Sequence, residues 1–223
     1  DIWLVQGDPG DSDKPTRFAD HHDLDATVSN VSLGRVPNGD PTAQGASLFP
    51  TTSQSFGSAN SPYVVGEVII SEVHYHQSVT GNPDIADGEL EYVELYNTTG
   101  VTVDISEWEL RQNDGGDFEM PAGAQIAASQ TVVLVNFDPV VETAKATAFR
   151  TVHGIGGGVV LLGDENTNFG NLNNAGEELK LLAPEDPGNP ASGFLLVDRV
   201  AYDDAAPWPT DADGAGDSLT RTL

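Results

Sequence analysis

The sequence predicts an all-β fold, an antiparallel β-sandwich with one short helix. Three observations support this class: apolar residues occur in short runs, several runs alternate apolar and polar residues, and turn-forming residues separate them. The 223 residues include 24 glycines and 14 prolines, and 38% are hydrophobic. This fraction can fill a core, and roughly eight or more short strands packed in two layers would bury it.

The elements follow in order along the chain. Residues 1–28 contain two strand-like runs on either side of a turn-rich stretch at residues 7–15. Residues 29–62 are polar and rich in Gly, Pro, Ser and Thr, a composition typical of a linker or a loosely tethered loop. The predicted strands of the remainder are residues 64–75, 89–96, 101–105, 108–110, 118–121, 131–137, 159–162, 177–182 and 194–202. Only residues 140–150 have helical character.

The apolar pattern also predicts which residues form the core. Residues 131–137 and 159–162 are continuous apolar runs, which are expected of strands buried in a core. We expect one antiparallel sandwich over residues 64–222. Its predicted buried residues are Trp108, Val133, Leu161, Leu181 and Val200.

Two distant parts of the chain are similar to each other. The N-terminal segments FADHHDLDA (18–26) and VSLGR (31–35) resemble VDRVAYDDA (197–205) and DSLTR (217–221), and DIWLV (1–5) resembles ELKLL (178–182). Self-similarity at a long period indicates tandem domains. We therefore expect residues 1–60 to comprise the trailing strands of one repeat plus a linker, and residues 61–223 to be a nearly complete second copy.

The charge and the cysteine count exclude several classes of function. The chain has 35 acidic and 9 basic residues, a net charge of −26. This charge disfavours nucleic acids and anionic membranes, which bind Lys and Arg, and it suits divalent cations and a salty medium. The absence of cysteine excludes disulfides and thiolate metal sites. We expect a secreted or cell-surface protein of a marine or salt-adapted bacterium, without a segment inserted in a membrane.

Five motifs carry a resemblance to a known family. In chain order they are VIISEVHYH (68–76), EYVELYN (91–97), VDISEWEL (103–110), GEELKLL (176–182) and VDRVAYDDAAPWP (197–209). Together they resemble the lamin tail domain, an immunoglobulin-like β-sandwich found in nuclear lamins and in many secreted bacterial proteins. The resemblance implies a non-catalytic module that is attached to enzymes or surface proteins. This chain has Glu107 where the family usually has Gly, and the family's last strand is expected to be missing after Leu223.

An acidic loop near the C-terminus is a candidate calcium site. Its carboxylates alternate with glycines, and hard oxygen ligands on a flexible loop suit calcium. The candidate ligands are Asp203, Asp204, Asp211, Asp213 and Asp217. Residues 8–13 form a second acidic loop. The alternative is that these are ordinary turns in which Asp side chains cap backbone amides.

Other residue patterns point to chemistry less specifically. His74 and His76 lie two apart on a predicted strand and could ligate zinc or copper, and His21 and His22 form a second histidine pair. The carboxylates of Glu72, Glu91 and Glu94 could serve in acid–base chemistry, but structural acids explain them better. The aromatic residues Trp108, Trp208 and Tyr202 could stack on a sugar, although core packing is the preferred interpretation.

The sequence thus predicts a non-catalytic extracellular structural or adhesive module in a tandem array. Its partners would be neighbouring copies or domains of the same protein, and strand addition involving residues 1–35 would join them. The alternative is an ancillary calcium- or carbohydrate-binding domain of a larger secreted hydrolase. A metal-dependent enzyme that uses the histidine pairs is the weakest of the three hypotheses.

Overall fold

The computed structural model describes residues 2–22, 24–35, 48–113, 116–163, 171–189 and 191–222. Their strands are β1 (Ile2–Asp8), β2 (Asp11–His22), β3 (Leu33–Gly34), β4 (Phe49–Pro50), β5 (Val68–His74), β6 (Tyr92–Asn97), β7 (Val103–Asp104), β8 (Glu109–Gln112), β9 (Phe118–Glu119), β10 (Gln125–Ile126), β11 (Thr131–Val135), β12 (Val160–Leu162), β13 (Glu177–Pro184), β14 (Phe194–Tyr202) and β15 (Leu219–Thr220). Helix α1 spans Thr143–His153, and two short 3₁₀ turns lie at Asp87–Leu90 and Thr210–Ala212.

Two sheets form the sandwich. The first has the strand order β12-β11-β6-β5-β15, and the second has the order β14-β13-β8-β9. Small two-stranded sheets are formed by β7 with β10, by β3 with β4 and by β1 with β2. The predicted all-β sandwich with a single short α-helix is confirmed for the described residues.

One strand pair departs from the expected antiparallel arrangement. Strands β11 and β12 are parallel, with Val132 opposite Val160. Parallel neighbours require a long crossover connection, and the segment between these two strands contains α1. The helix therefore exists where the topology needs it, between the two parallel strands.

The apolar pattern of each strand matches its place in the sheets. Strand β6 buries every second residue, because one face points into the sandwich. Strand β11 buries four consecutive residues. Its Val132 and Leu134 belong to the main core between the sheets, whereas Val133 and Val135 belong to a second core beneath α1.

The predicted core residues are only partly correct. Val133, Leu161 and Leu181 are buried as expected. Trp108 and Val200 are only partly buried and pack against the edge of the main core.

The helix lies slightly C-terminal to its predicted position. The carboxylate of Asp138 accepts hydrogen bonds from the backbone amides of Val140 and Val141, which closes a turn before the helix. Gly154 ends the helix with a left-handed conformation, φ 65°. Glu107 also has a left-handed backbone, φ 64°, which glycine adopts most easily, so this turn keeps its shape without the glycine that is usual there.

The segment predicted as a linker is ordered where the structure describes it. Residues 24–35 and 48–65, here called the collar, contain the β3–β4 pair and a bridge between Thr51 and Tyr63. The Val64 amide donates to the Pro50 carbonyl, so strand β5 begins at Val68 rather than at residue 64 as predicted. Polar residues here make hydrogen bonds within the collar, as in the 2.7 Å contact between the hydroxyls of Ser32 and Thr51.

The N-terminal and C-terminal strands differ in their surroundings. Strands β1 and β2 pair with each other as an antiparallel hairpin. Strand β15 pairs with β5 at the edge of the first sheet, with Leu219 opposite Val73. Strand β15 is therefore the edge strand on this side of the first sheet. No helix among the described residues is long and apolar enough to span a membrane.

Candidate functional site

The candidate site is the outer edge of the second sheet, where β14 meets the collar. Strand β14 is an edge strand, and an exposed edge presents unpaired backbone groups. The collar covers part of this edge, because the Leu196 amide donates to the Ala26 carbonyl at 2.9 Å. Residues 1–35 thus contact the sheet of residues 64–222, although their own strands do not extend it.

Three of the chain's nine basic residues form a row across this sheet. Arg199 on β14 is opposite Lys180 on β13, and Lys180 is opposite Arg111 on β8. Leu179 and Leu181 point into the core, so the alternation of side chains places Lys180 on the outer face. We call these three residues the basic row.

Asp25 of the collar binds two members of the basic row. Its carboxylate lies 2.6 Å from Arg199 Nη2 and 3.0 Å from Lys180 Nζ. Glu178 lies 3.4 Å from each of the same two basic groups. Arg199 is only 4% exposed, and its Nη1 also donates to the Leu48 carbonyl of the collar at 3.1 Å. A buried guanidinium needs such partners, because an unpaired buried charge is costly.

A cavity of about 380 Å³ opens beside this contact, between β14 and the β5–β15 edge of the first sheet. Side chains of Ile70, Val73 and Trp208 contribute to its walls, and Phe49 and Tyr63 of the collar line it from the other side. The cavity has the size of many small-molecule sites and is mostly apolar.

An ion pair lies at the wall of the cavity. Asp198 contacts Arg221 at 2.8 Å and accepts a hydrogen bond from the Ile70 amide, also at 2.8 Å. Burial raises the pKa of Asp198, while Arg221 and the amide act in the opposite direction. This pair links β14 to β5 and to the segment after β15, across the gap between the two sheets.

The five predicted calcium ligands do not converge on one point. Asp211, Asp213 and Asp217 are exposed. Asp213 is bound to His76 Nδ1 at 2.6 Å, and Asp203 accepts the Ala205 amide at 2.8 Å. Among the described residues, no group of three or more His, Cys, Asp or Glu is arranged to hold a metal ion. Calcium binding by these residues stays a prediction.

Three of these carboxylates share one neighbourhood. Asp203, Asp204 and Asp213 all act electrostatically on the hydroxyl of Tyr75, whose pKa is raised mainly by burial. A hydrogen bond with Asp203, then burial and the negative charges of Asp203 and Asp213, raise the pKa of Asp204. Like charges are thus concentrated at the end of β14.

The predicted histidine pair is split between two environments. His74 is buried and shares a 2.7 Å hydrogen bond with Gln77, whereas His76 faces Asp213. The His74 ring packs edge-on against His153 of α1 at 5.1 Å. Burial, with a contribution from His153, lowers the pKa of His74 to about 4. The strand ends at His74, so the two-residue spacing does not bring the rings together. His21 and His22 lie in β2, but their side chains are outside the described set.

The predicted carboxylates have structural partners. Glu72 accepts hydrogen bonds from Tyr92 at 2.6 Å and from Ser218, and Glu94 accepts one from Ser71 at 2.7 Å. Glu91 is buried and accepts the Leu172 amide at 2.7 Å. Burial raises the pKa of Glu91 to about 8.

The three aromatic residues do not form an exposed platform. Tyr202 is buried and stacks on Tyr75, with ring centroids 4.7 Å apart. Trp108 and Trp208 are partly buried against the core. Core packing, the preferred interpretation from the sequence, accounts for Tyr202 and Trp108, whereas Trp208 also lines the cavity.

Sequence reasoning missed the contact between Asp25 and the basic row. A signal was present, because Lys180 and Arg199 stand out in a chain with few basic residues, and Lys180 alternates with leucines in its strand. The pairing of Lys180 with Arg199 depends on strand register, and Asp25 is far away in the sequence. Only the folded arrangement brings these residues together.

Comparison with known proteins adds one match. A family model described as Lamin Tail Domain matches residues 61–203, from the end of the collar to just after β14. No curated protein matches the chain.

Proposed function

Because the chain belongs to the lamin tail domain family, an immunoglobulin-like structural family, we propose that it is a non-catalytic structural or adhesive module that works in a tandem array outside the cell. The strongly acidic composition, with a net charge of −26, supports an exterior and saline setting. The partners in such an array would be neighbouring copies.

One observation carries the proposal: the N-terminal strand segments resemble the C-terminal ones in sequence. The β1–β2 hairpin corresponds to β13–β14, and both pairs are antiparallel. Strand β3 corresponds to β15, and each is a two-residue strand within a Ser-Leu-x-Arg motif. This resemblance supports an array in which each copy ends in such strands.

The exposure of the N-terminal hairpin supports the same proposal. In β13, Leu179, Leu181 and Leu182 are buried against the rest of the sandwich. In the hairpin, Val5 is 41% exposed and Phe18 is 67% exposed. A two-stranded hairpin is marginal by itself, and the missing cover would be the remaining strands of another copy.

An added half-domain tests this proposal. Residues 61–177 placed directly before Asp1 would supply the strands that precede β13 in the complete copy. We expect the hairpin to complete a second sandwich, so that amide hydrogen exchange in residues 2–22 becomes slower than in the parent chain. The substitution Phe18→Asp in the same fusion is the matched control, and it should restore fast amide hydrogen exchange in residues 2–22.

If exchange in residues 2–22 is as fast in the fusion as in the parent, the hairpin does not belong to such a sandwich and the array proposal fails.

The cavity supports a second candidate, an ancillary calcium- or carbohydrate-binding domain of a larger secreted hydrolase. Tyr63 and Trp208 at its wall are residue types that pack on sugar rings. Isothermal titration with soluble oligosaccharides, comparing the parent with Trp208→Leu, distinguishes the candidates. A heat of oligosaccharide binding that is present in the parent and lost in Trp208→Leu would favour the binding domain. If the parent shows no such heat, the array is the better explanation.

A further inference from the structure

The contact made by Asp25 has a counterpart elsewhere in the chain. In the repeated segments FADHHDLDA (18–26) and VDRVAYDDA (197–205), the eighth residue is Asp in both: Asp25 in the first and Asp204 in the second. The ninth is alanine in both, but the two carbonyls have different partners: Ala26 accepts the Leu196 amide, whereas Ala205 accepts the Trp208 amide within its own turn. The acid that holds the collar on the sandwich is therefore repeated at the end of β14.

The two acids have opposite surroundings. Asp25 binds Lys180 and Arg199 of the sandwich that follows it in the chain. Asp204 takes part in none of the ion pairs found among the described residues, and its charged neighbours are Asp203 and Asp213. The hydrogen bond with Asp203 and the adjacent negative charges raise its pKa, which is the expected state of a carboxylate without a cation nearby.

We propose that Asp204 is a docking carboxylate that binds the Lys–Arg pair of the basic row on a following copy of the sandwich, as Asp25 binds Lys180 and Arg199 here. This inference rests on the proposed tandem array and names the contact that joins its members. Each joint would combine a buried arginine, a lysine and one acid from the preceding copy.

The neighbouring strands are compatible with such a joint. Strand β3 pairs with β4 of the collar, and its counterpart β15 lies at the edge of the first sheet, with β5 on one side only. Among the described residues the second side of β15 carries no strand; β15 there lines the cavity together with Phe49 and Tyr63, and the proposed joint would place the β4 of a following copy on this side. The joint would be head-to-tail, a contact that repeats along a row of copies.

The two joints differ in the length of the connection and at one strand residue. Five residues (27–31) join Ala26 to Ser32 in the first joint, whereas twelve (206–217) join Ala205 to Ser218 in the second. Gly34 of β3 is Thr220 in β15. A Cβ atom at Gly34 would lie 2.9 Å from Thr51 Cγ2 and 3.1 Å from Asn60, so this contact favours glycine. A following copy with Thr51 and Asn60 would fit best if Thr220 were also glycine.

The test is a fusion that continues the array. Residues 1–223 are followed directly by residues 38–223, because Leu223 corresponds to residue 37, and Thr220→Gly is introduced in the first copy. The sequence has no cysteine, so a spin label can be placed at the exposed Ala122 of each sandwich through Ala122→Cys. Electron–electron double resonance then gives the distribution of distances between the two sandwiches.

The reference is the joint that the structure already contains. In the parent chain, labels at Ser29 of the collar and at Ala122 should give a narrow distance distribution. Asp25→Asn should broaden it, because the buried Arg199 loses its closest partner.

Docking predicts a narrow distribution in the fusion that is lost with Asp204→Asn. The matched control is Asp203→Asn, which removes the same charge one residue away and should leave the distribution narrow. Salt at 1 M, where the Debye length is about 3 Å, should broaden the narrow distribution as Asp204→Asn does.

Two outcomes would overturn the inference. One is a fusion whose distribution is broad from the start, and the other is a narrow distribution that responds equally to Asp203→Asn and Asp204→Asn. Either could occur while the half-domain fusion, with residues 61–177 before Asp1, still slows amide hydrogen exchange in the hairpin. In that case the array proposal would stand without this joint.

Discussion

At the residue scale, the most unusual groups are ionisable side chains buried near the helix. His74 is buried next to His153 and Tyr92, with aromatic contacts to both. His153 shares a 2.9 Å hydrogen bond with the Leu90 carbonyl, and burial lowers its pKa as well. Two neutral imidazoles thus join α1 to β5, and the charge of Glu72 partly offsets the effect of burial on the pKa of His153.

This arrangement predicts a loss of stability in acid. The pKa of His74 is about 4 in the folded protein and 6.5 when unperturbed. Between these values the unfolded chain binds the proton and the folded chain does not, so the stabilisation is complete above pH 6.5 and is lost as the pH falls towards 4. The loss could reach about 3 kcal/mol. Denaturant unfolding at a series of pH values measures it.

The variant His74→Phe keeps an aromatic ring and removes the titration. We expect the free energy of unfolding of this variant to fall less steeply between pH 6.5 and 4 than that of the parent. Parallel curves for the parent and His74→Phe would show that His74 does not cause the acid dependence.

Glu91 acts in the opposite direction, because its raised pKa of about 8 makes the folded state less favourable as the pH rises from 4.5.

At the element scale, the sandwich depends on strands whose two faces have different tasks. Strand β13 buries Leu179 and Leu181 on one face and presents Lys180 to Asp25 on the other. It lies between β14 and β8, so it has backbone partners on both sides. The same strand therefore contributes to the core and to the contact with the collar.

Truncation of a core residue on this strand should be costly. Leu181 is fully buried, and Leu181→Ala is expected to lower the free energy of unfolding by roughly 2–5 kcal/mol, since both burial and packing are lost. Urea denaturation measures the change. Leu195→Ala on β14 is the control, because Leu195 is only partly buried and should cost less. Equal losses for the two variants would contradict the assigned strand faces.

At the scale of the whole molecule, the dominant property is the excess of 35 acids over 9 bases. Four of the nine basic residues make contacts that join separate parts: Arg199 and Lys180 bind the collar, Arg221 binds Asp198, and Lys145 of α1 contacts Glu89 at 2.5 Å. The remaining acids repel one another at low salt, so counterions should stabilise the fold.

Calcium should therefore raise the melting temperature more than sodium chloride of the same ionic strength. A cation that binds only the folded state stabilises it by about 2.7 kcal/mol when its concentration is a hundred times the dissociation constant. Thermal melts with calcium, with magnesium and with a chelator measure the effect, and Asp213→Asn tests whether the loop after β14 contributes. Identical melting temperatures in all three conditions would identify the acidic loops as ordinary turns.

The sequence by itself determined the fold class and the position of most strands, and it is the source of the proposed repeat. These features are local, because alternation, turn residues and short motifs involve neighbouring residues. The Ser-Leu-x-Arg motifs of β3 and β15, for example, can be recognised in the sequence alone. The tertiary structure alone decided which side chains meet. Three examples depend on strand register, on the crossover path and on the place where a strand ends. They are the parallel β11–β12 pair, the contact of Asp25 with Lys180 and Arg199, and the separation of His74 from His76. Such contacts join residues far apart in the chain, and local propensity does not encode them, because packing of the whole molecule selects the register and the path of each connection.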